Sequence, residues 1–231
     1  MQTTDATENG LLLIDKPNGW SSFDVVRKLR PQLGIKKIGH AGTLDPLATG
    51  LLILLLGRAT KQQQQFMQLR KRYEATITLG ATSDTDDAEG TISHAAPLDK
   101  VEPPTRTQIE RALQRFTGDI EQIPPQYSAV KLQGQRAYQA ARRGETVGLQ
   151  PRRVTVYELR LIDYQYPHMR MHTQVSSGTY IRSLARDIGA ALAIGGYVSQ
   201  LRRTHIGDYS VEAALTPGSD AETLRGAVQP L

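Results

Sequence analysis

The chain of 231 residues holds 39% hydrophobic and 22% charged residues, a formal net charge of +5 and no cysteine. That length suits one large domain or a domain with a small appendage, and the missing cysteines exclude disulfides and thiolate metal sites. The histidines His40, His94, His168, His172 and His205 lack zinc-like spacing, and no stretch reads as a membrane span or secretory signal, so no metal, no membrane and a cytoplasmic location are expected. The charge is uneven. Asp5 and Glu8 near the start, and Asp208, Glu212, Asp220 and Glu222 against Arg225 at the end, leave residues 10–207 at +10. Basic clusters recur at Lys36-Lys37, Arg70-Lys71-Arg72, Arg142-Arg143, Arg152-Arg153 and Arg202-Arg203, with Tyr73, Tyr138 and Tyr157 nearby. Such a body points to a polyanion, with nucleic acid first.

In chain order, LLLIDKPNGWSSFDVVRKLR predicts a strand, a Pro-Asn-Gly turn and a helix capped by Ser21 or Ser22, with Asp24 in its first turn and Pro31 ending or bending it. GHAGTLDPLATG then sets one carboxylate, Asp45, among Gly39, Gly42 and Gly50, with Pro46 pushing it away from helical geometry. Asp45 is either a turn residue that satisfies nearby N–H groups or a placed acid. The six apolar residues Leu51 to Leu56 read as a buried strand, too short for a bilayer. ATKQQQQFMQLR predicts a helix with Phe66 and Leu69 inward, and RYEATITLGA a half-buried strand with Tyr73, Ala75, Ile77 and Leu79 on one face.

The acidic SDTDDAEG reads as a solvated turn-rich loop without EF-hand spacing. TRTQIERALQRFTGD predicts an amphipathic helix with Thr105 near its cap, Ile109, Leu113 and Phe116 on one face, and Gly118 as its stop. RRVTVYELRLIDYQY and MRMHTQV form a strand pair joined at Pro167. SSGTYIRSLARDIGAALA predicts a helix starting at Ser177 to Thr179, with Ile181, Leu184, Ile188 and Leu192 facing the core and Arg182 and Arg186 on one flank. The fold class is α+β, since strands and helices mix without a βαβ rhythm.

The segments LLLIDKPNGWSSFDVV, GHAGTLDPLATGLL, KRYEATITLG, SDTDDAEG, IPPQYSAVKLQGQRAYQAARRG, SSGTYIRSLARDIG and LRRTHIG, in this order, resemble the TruB-type tRNA pseudouridine synthases over about residues 10–210. The resemblance implies that family's catalytic fold, a mixed, mostly antiparallel sheet with flanking helices. It also implies an isomerase that converts the uridine at position 55 in the tRNA T loop to pseudouridine without cofactor or metal. Asp45 falls on the catalytic aspartate, which attacks or stabilises the sugar carbon or helps remove a proton beside it. Either route needs it ionised, and Arg182 in GTYIR matches the arginine expected to favour that state. Tyr73 matches the tyrosine that packs on the flipped base and His40 the histidine that helps displace it. Tyr180 and Leu201 match positions lining the nucleotide pocket, and Lys16 and Pro17 a largely structural KP motif.

The implied organisation is an N-terminal tail over 1–9, a catalytic domain over 10–215 and a C-terminal tail with a short helix over 216–231. The chain stops at RGAVQPL without the small PUA-like domain common in bacterial members, which implies stand-alone action on the tRNA T arm rather than work in a guide-RNA complex. Two other readings of the same residues are a non-catalytic RNA-binding module and a sugar hydrolase with Asp87 as a second acid.

Overall fold

The computed structural model describes residues 9–94, 102–128, 131–132, 135–136 and 148–231. It divides into two compact units, Met1–Tyr73 with Leu201–Leu231, and Glu74–Gln200. Arg142-Arg143 and Tyr138 lie outside the described residues.

The first unit is built on a strand buried on both faces. Strand β1, Gly10–Lys16, leads to helix α1, Ser22–Leu33, then β2, Ile38–His40, and β3, Thr49–Leu56. β1 runs antiparallel to β3 from Gly10↔Leu56 to Lys16↔Gly50, and β2 pairs antiparallel with its other edge from Ile38↔Leu56 to His40↔Leu54. Past β2, that edge pairs in parallel with β12, Gly196–Ile206, at Arg202↔Thr49 and Arg203↔Gly50. The period of two in a strand splits LLILLL between two cores. Leu52, Leu54 and Leu56 pack with Leu12, Ile14, Val25, Val26 and Leu29 beneath α1. Leu51, Ile53 and Leu55 pack with Leu11, Leu13, Ala41, Phe66 and Ile206.

Phe66 comes from α2, Gln63–Gln68, which follows a 3₁₀ turn over Gly57–Gln62 where one continuous helix was expected. The C-terminal residues close the first core: Leu224, on α5, Ala221–Gly226, is fully buried, and Gln229 bridges to Leu11.

Helix α1 begins as its sequence requires. Ser21 is the N-cap, and a capping box joins it to Asp24. Pro31 does not end the helix. It sits in the last turn, where the burial of Leu29 and Leu33 outweighs one lost hydrogen bond, and the stop is Gly34 at φ 72°, whose N–H donates to Arg30 O.

The second unit carries most of β4, Lys71–Leu79, the short pairs β5, Thr82–Ser83, with β6, Ile92–Ser93, and β8, Lys131–Leu132, with β9, Gln135–Arg136, and the longer strands β7, Gly118–Gln122, β10, Arg152–Gln165, and β11, His168–Val175, in the spatial order β4, β11, β10, β7. β10 forms the expected antiparallel pair with β11, and its other edge takes β7. α3, Arg106–Arg115, starts from a Thr105–Gln108 capping box, buries Ile109, Ala112 and Leu113, and packs on β10. Of the strand pairings described for either unit, only β12 on β3 is parallel, so the mixed, mostly antiparallel α+β class holds.

Helix α4, Ile181–Ala191, starts later than expected. Residues 177–180 form a turn instead: Ser176 accepts the Thr155 N–H on its hydroxyl and donates its own N–H to Thr155 O, and Gly178 takes φ 83°. Leu192 is only half-buried at the helix C-cap. No helix among the described residues is long and apolar enough to cross a membrane.

Candidate active site

Asp45 lies half-buried on the loop that joins β2 to β3, and the loop is fixed on both sides of it. Leu44 donates its N–H to the Ser22 hydroxyl (2.8 Å), which donates in turn to Leu44 O (3.2 Å). Pro46 O accepts from the Gly19 N–H (2.9 Å) and from Lys16 Nζ (3.3 Å). Asn18 reaches Leu47 O at 3.3 Å. These donors all belong to the end of β1, the turn after it or the first turn of α1, so the KPNGWSS run works as a clamp.

Lys16 is 0% exposed, and its ammonium also donates to Pro17 O (2.9 Å) and Trp20 O (2.5 Å). A buried ammonium is tolerated only when hydrogen-bonded, and here the bonds tie its own turn to the loop. Gly50 must be glycine: its φ is 101°, and a Cβ there would lie 2.2 Å from Arg203 O.

His40 ends β2. Its carbonyl accepts from Gln63 Nε2 at 2.8 Å, and its Nδ1 is buried without a hydrogen bond. Burial, aided by the Arg203 charge, pushes its pKa below the ordinary imidazole value, so the ring is neutral at pH 7. Tyr73 is buried on the inward face of β4, as its alternation predicted. Leu201, on β12, is buried too, with its carbonyl accepting from the Thr49 hydroxyl at 3.4 Å. Lys16, Pro17, His40, Asp45, Tyr73 and Leu201 thus all belong to the first unit.

Tyr180 and Arg182 belong to the second. Tyr180 is the N-cap of α4 without a side-chain cap of its own; Gln122 holds its backbone, accepting the Tyr180 N–H (2.8 Å) and donating to its carbonyl (3.0 Å). Arg182 is buried, with its guanidinium donating to Thr85 O (3.0 Å) and Tyr127 O (2.9 Å) and lying 3.4 Å from the Asp87 carboxylate.

The acidic loop is therefore not a solvated turn. Asp87 is 3% exposed and accepts from the Thr85 hydroxyl (2.6 Å) and the Glu89 N–H (3.0 Å). Asp86 meets Arg186 at 2.9 Å, and burial raises its pKa although Arg186 and Arg182 pull it down. Arg186, one turn on from Arg182 on α4, also meets Asp187 at 3.0 Å, and the facing acids are what permit Arg182 to be buried and Arg186 to be half-buried. Asp87, considered as a second acid of a hydrolase, is instead bound to Arg182 in a carboxylate–guanidinium pair.

Residues 30–181 match the model of the TruB family pseudouridylate synthase N-terminal domain, and residues 182–231 match that of the tRNA pseudouridylate synthase B C-terminal domain. The chain belongs to the TruB family. It is 47% identical over 216 residues to a tRNA pseudouridine synthase B of Thermobifida fusca, covering 90% of this chain and 73% of that protein. It is 46% identical over 223 residues to the namesake of Phocaeicola vulgatus, covering 94% of each. Among solved structures, an H/ACA RNP bound to a substrate RNA containing 2′-deoxyuridine aligns with a TM-score of 0.73 at 25% identity, over 97% of this chain and 60% of that one. This chain thus spans three fifths of the length of that solved chain. Its relatives in the TruB family are isomerases, and the chain is an enzyme of that class.

Local signals do not show what three residues of this arrangement do. Ser22 reads as a possible cap, yet it holds Leu44. Asp87 reads as part of a solvated loop or as a second acid, yet it is buried beside Arg182. Arg203 reads as part of a basic surface cluster, but it is 1% exposed and donates to Leu51 O (2.7 Å) and Gly42 O (3.1 Å). The available signal was position: each lies inside a segment of the family resemblance.

Proposed function

We propose that the chain isomerises the T-loop uridine at position 55 of tRNA to pseudouridine, with Asp45 as the carboxylate that acts on the nucleotide. The observation that supports this most is the clamp on Asp45, whose two neighbours, Leu44 and Pro46, are both hydrogen-bonded to one turn. A carboxylate at the tip of a fixed loop is oriented before substrate arrives, and that removes reorganisation from the barrier.

The reaction is balanced without a co-reactant. The bond from N1 of uracil to C1′ of ribose breaks, a bond from C5 to C1′ forms, and the proton at C5 leaves as N1 gains one. A stacked uridine cannot react this way, so it must first be flipped out. Asp45 attacks or stabilises C1′ or assists proton loss beside it. Tyr73 offers its ring face to the flipped base, and its hydroxyl can relay the C5 proton. His40, being neutral, contributes a hydrogen bond and a displacing ring rather than a charge. Leu201 serves the same nucleotide by its match to LRRT; the match to GTYIR gives Tyr180 and Arg182 nucleotide-binding roles, and within the second unit Arg182 is held in orientation by Thr85, Tyr127 and Asp87.

The test is incubation with an unmodified tRNA transcript followed by carbodiimide mapping of pseudouridine. Wild type should mark position 55 alone in the T loop. Asp45→Asn should bind tRNA with unchanged affinity and form none; turnover within about tenfold of wild type, roughly 1.4 kcal/mol of barrier, overturns the role of Asp45.

A further inference from the structure

We propose that Arg203 is a positioning residue for the reaction, fixing the two ends of the Asp45 loop. The inference rests on the reading of Asp45 as the acting carboxylate. Arg203 belongs to a basic pair that charge counting assigns to the RNA-binding surface. The structure puts the two partners to different uses. Arg202 is partly exposed and lies against Asp15 in a two-pronged pair at 2.7 and 3.0 Å. Arg203 turns inward and is buried to 1%.

Its guanidinium has a geometry that fits one task. Nε donates to Leu51 O at 2.7 Å and Nη2 to Gly42 O at 3.1 Å. Gly42 is three residues before Asp45 and Leu51 six after it, so one rigid planar group spans the entry and the exit of the loop. The Arg203 backbone holds the exit as well: it pairs with Gly50, close enough that Gly50 has no room for a side chain. A lysine in that place would offer its donors from a single point, without the fixed spacing of the planar fork.

Lys16 and Ser22 fix the residues on either side of Asp45. Arg203 fixes the loop's ends, so the carboxylate is defined from both ends of the loop as well as from both of its neighbours. The cation also lies near enough to His40 to help hold its ring neutral, a second effect on the same loop region. Burying a guanidinium is costly unless hydrogen bonds offset it, and a fold that needed only packing here would be served by an apolar residue. The positive charge meets carbonyl oxygens at the loop's two ends, which ties its stability to the loop's shape.

The experiment compares Arg203→Lys and Arg203→Met with wild type and Asp45→Asn, all as full chains. Single-turnover rate, tRNA affinity and amide hydrogen exchange over residues 42–51 are measured together. Displacing a reacting group by about 1 Å costs on the order of 100-fold, so Arg203→Met should lose roughly that in rate at saturating tRNA, with affinity within about threefold of wild type. Arg203→Lys should recover part of the rate. Exchange of the loop amides should quicken in both variants, more in Met.

A folded Arg203→Met with wild-type rate overturns the proposal. So does a loss confined to affinity with the rate at saturation unchanged, which would return Arg203 to phosphate binding. Should Arg203→Met fail to fold, Arg203→Lys decides by the same criteria. An active Asp45→Asn would instead overturn the reading of Asp45, and the exchange data would still report whether Arg203 holds the loop.

Discussion

Lys71 is a charge that the fold carries at a cost. It is buried, and desolvation first, then the charge of Arg203, lowers its pKa from 10.5 to about 8. Its ammonium donates to Met67 O and to Leu69 O (2.7 Å), which orders the chain between α2 and β4 but does not repay the burial. The folded value lies below the unfolded one, so between about pH 8 and 10.5 the unfolded chain holds the proton more tightly. Stability therefore rises with pH across that window, and below pH 8, where both states are charged, the full cost of about 3 kcal/mol applies. Urea unfolding at pH 8 and pH 10 should show wild type gaining about 2 kcal/mol that Lys71→Met does not gain; equal slopes in the two proteins would mean that the ammonium is better solvated than its burial implies. Lys16, Lys71 and Arg203 share a lesson in legibility. Their positive charges were plain in the sequence, but whether a charge faces water or a backbone carbonyl is decided by chain segments far away, as when Arg203 meets Gly42. The loop position of Asp45 and the inward face of Tyr73 were legible because a run of glycines and a two-residue alternation are local signals.

The Asp45 loop is held as an element, and single bonds in the clamp should be felt at the carboxylate. Ser22→Ala removes the acceptor for the Leu44 N–H and the donor to Leu44 O in a buried place. An orphaned buried amide costs about 1–3 kcal/mol, so a stability loss in that range is expected together with slower turnover at saturating tRNA. Removing the N-cap acceptor with Ser21→Ala should cost a similar amount, about 1 kcal/mol, and leave turnover near wild type, because Ser21 caps α1 without touching the loop. Thermal unfolding and single-turnover rates on the pair separate the two effects; equal turnover losses would show that the loop responds to the helix as a whole. The sequence left the cap between Ser21 and Ser22 with Asp24 in the first turn, because capping has a local signature, and the structure settles it on Ser21. The bond from Ser22 to Leu44 was not, since it joins residues 22 apart in sequence. Helix α4 misled for a related reason: its N-cap residue, Tyr180, is held by Gln122, 58 residues away, so the local Ser-Ser-Gly-Thr run pointed to a start that the chain uses as a turn.

Over the whole molecule the +10 carried by residues 10–207 has to be divided before it predicts anything about RNA. Lys16, Lys71, Arg182 and Arg203 are buried and spend their charge inside the protein. Lys36, Lys37, Arg152 and Arg153 are exposed and remain available for phosphates. Phosphate contacts position an RNA and release counterions, so tRNA affinity should fall steeply with salt, with a slope that drops by about one for each contact removed. Lys36→Ala with Lys37→Ala, and Arg152→Ala with Arg153→Ala, each test one exposed pair. A pair that grips the T arm should lower the slope by about one to two and weaken an isolated T-arm hairpin as much as full tRNA, because both present the same loop. Arg203→Lys should leave the slope unchanged even as it slows turnover, since a buried guanidinium releases no counterions from the RNA. The measurement is binding of hairpin and full tRNA across a salt series for these variants in parallel. If Arg203→Lys flattens the slope while both exposed pairs leave it intact, the division of charge into interior and surface is wrong, and RNA reaches a cation that the free protein keeps covered.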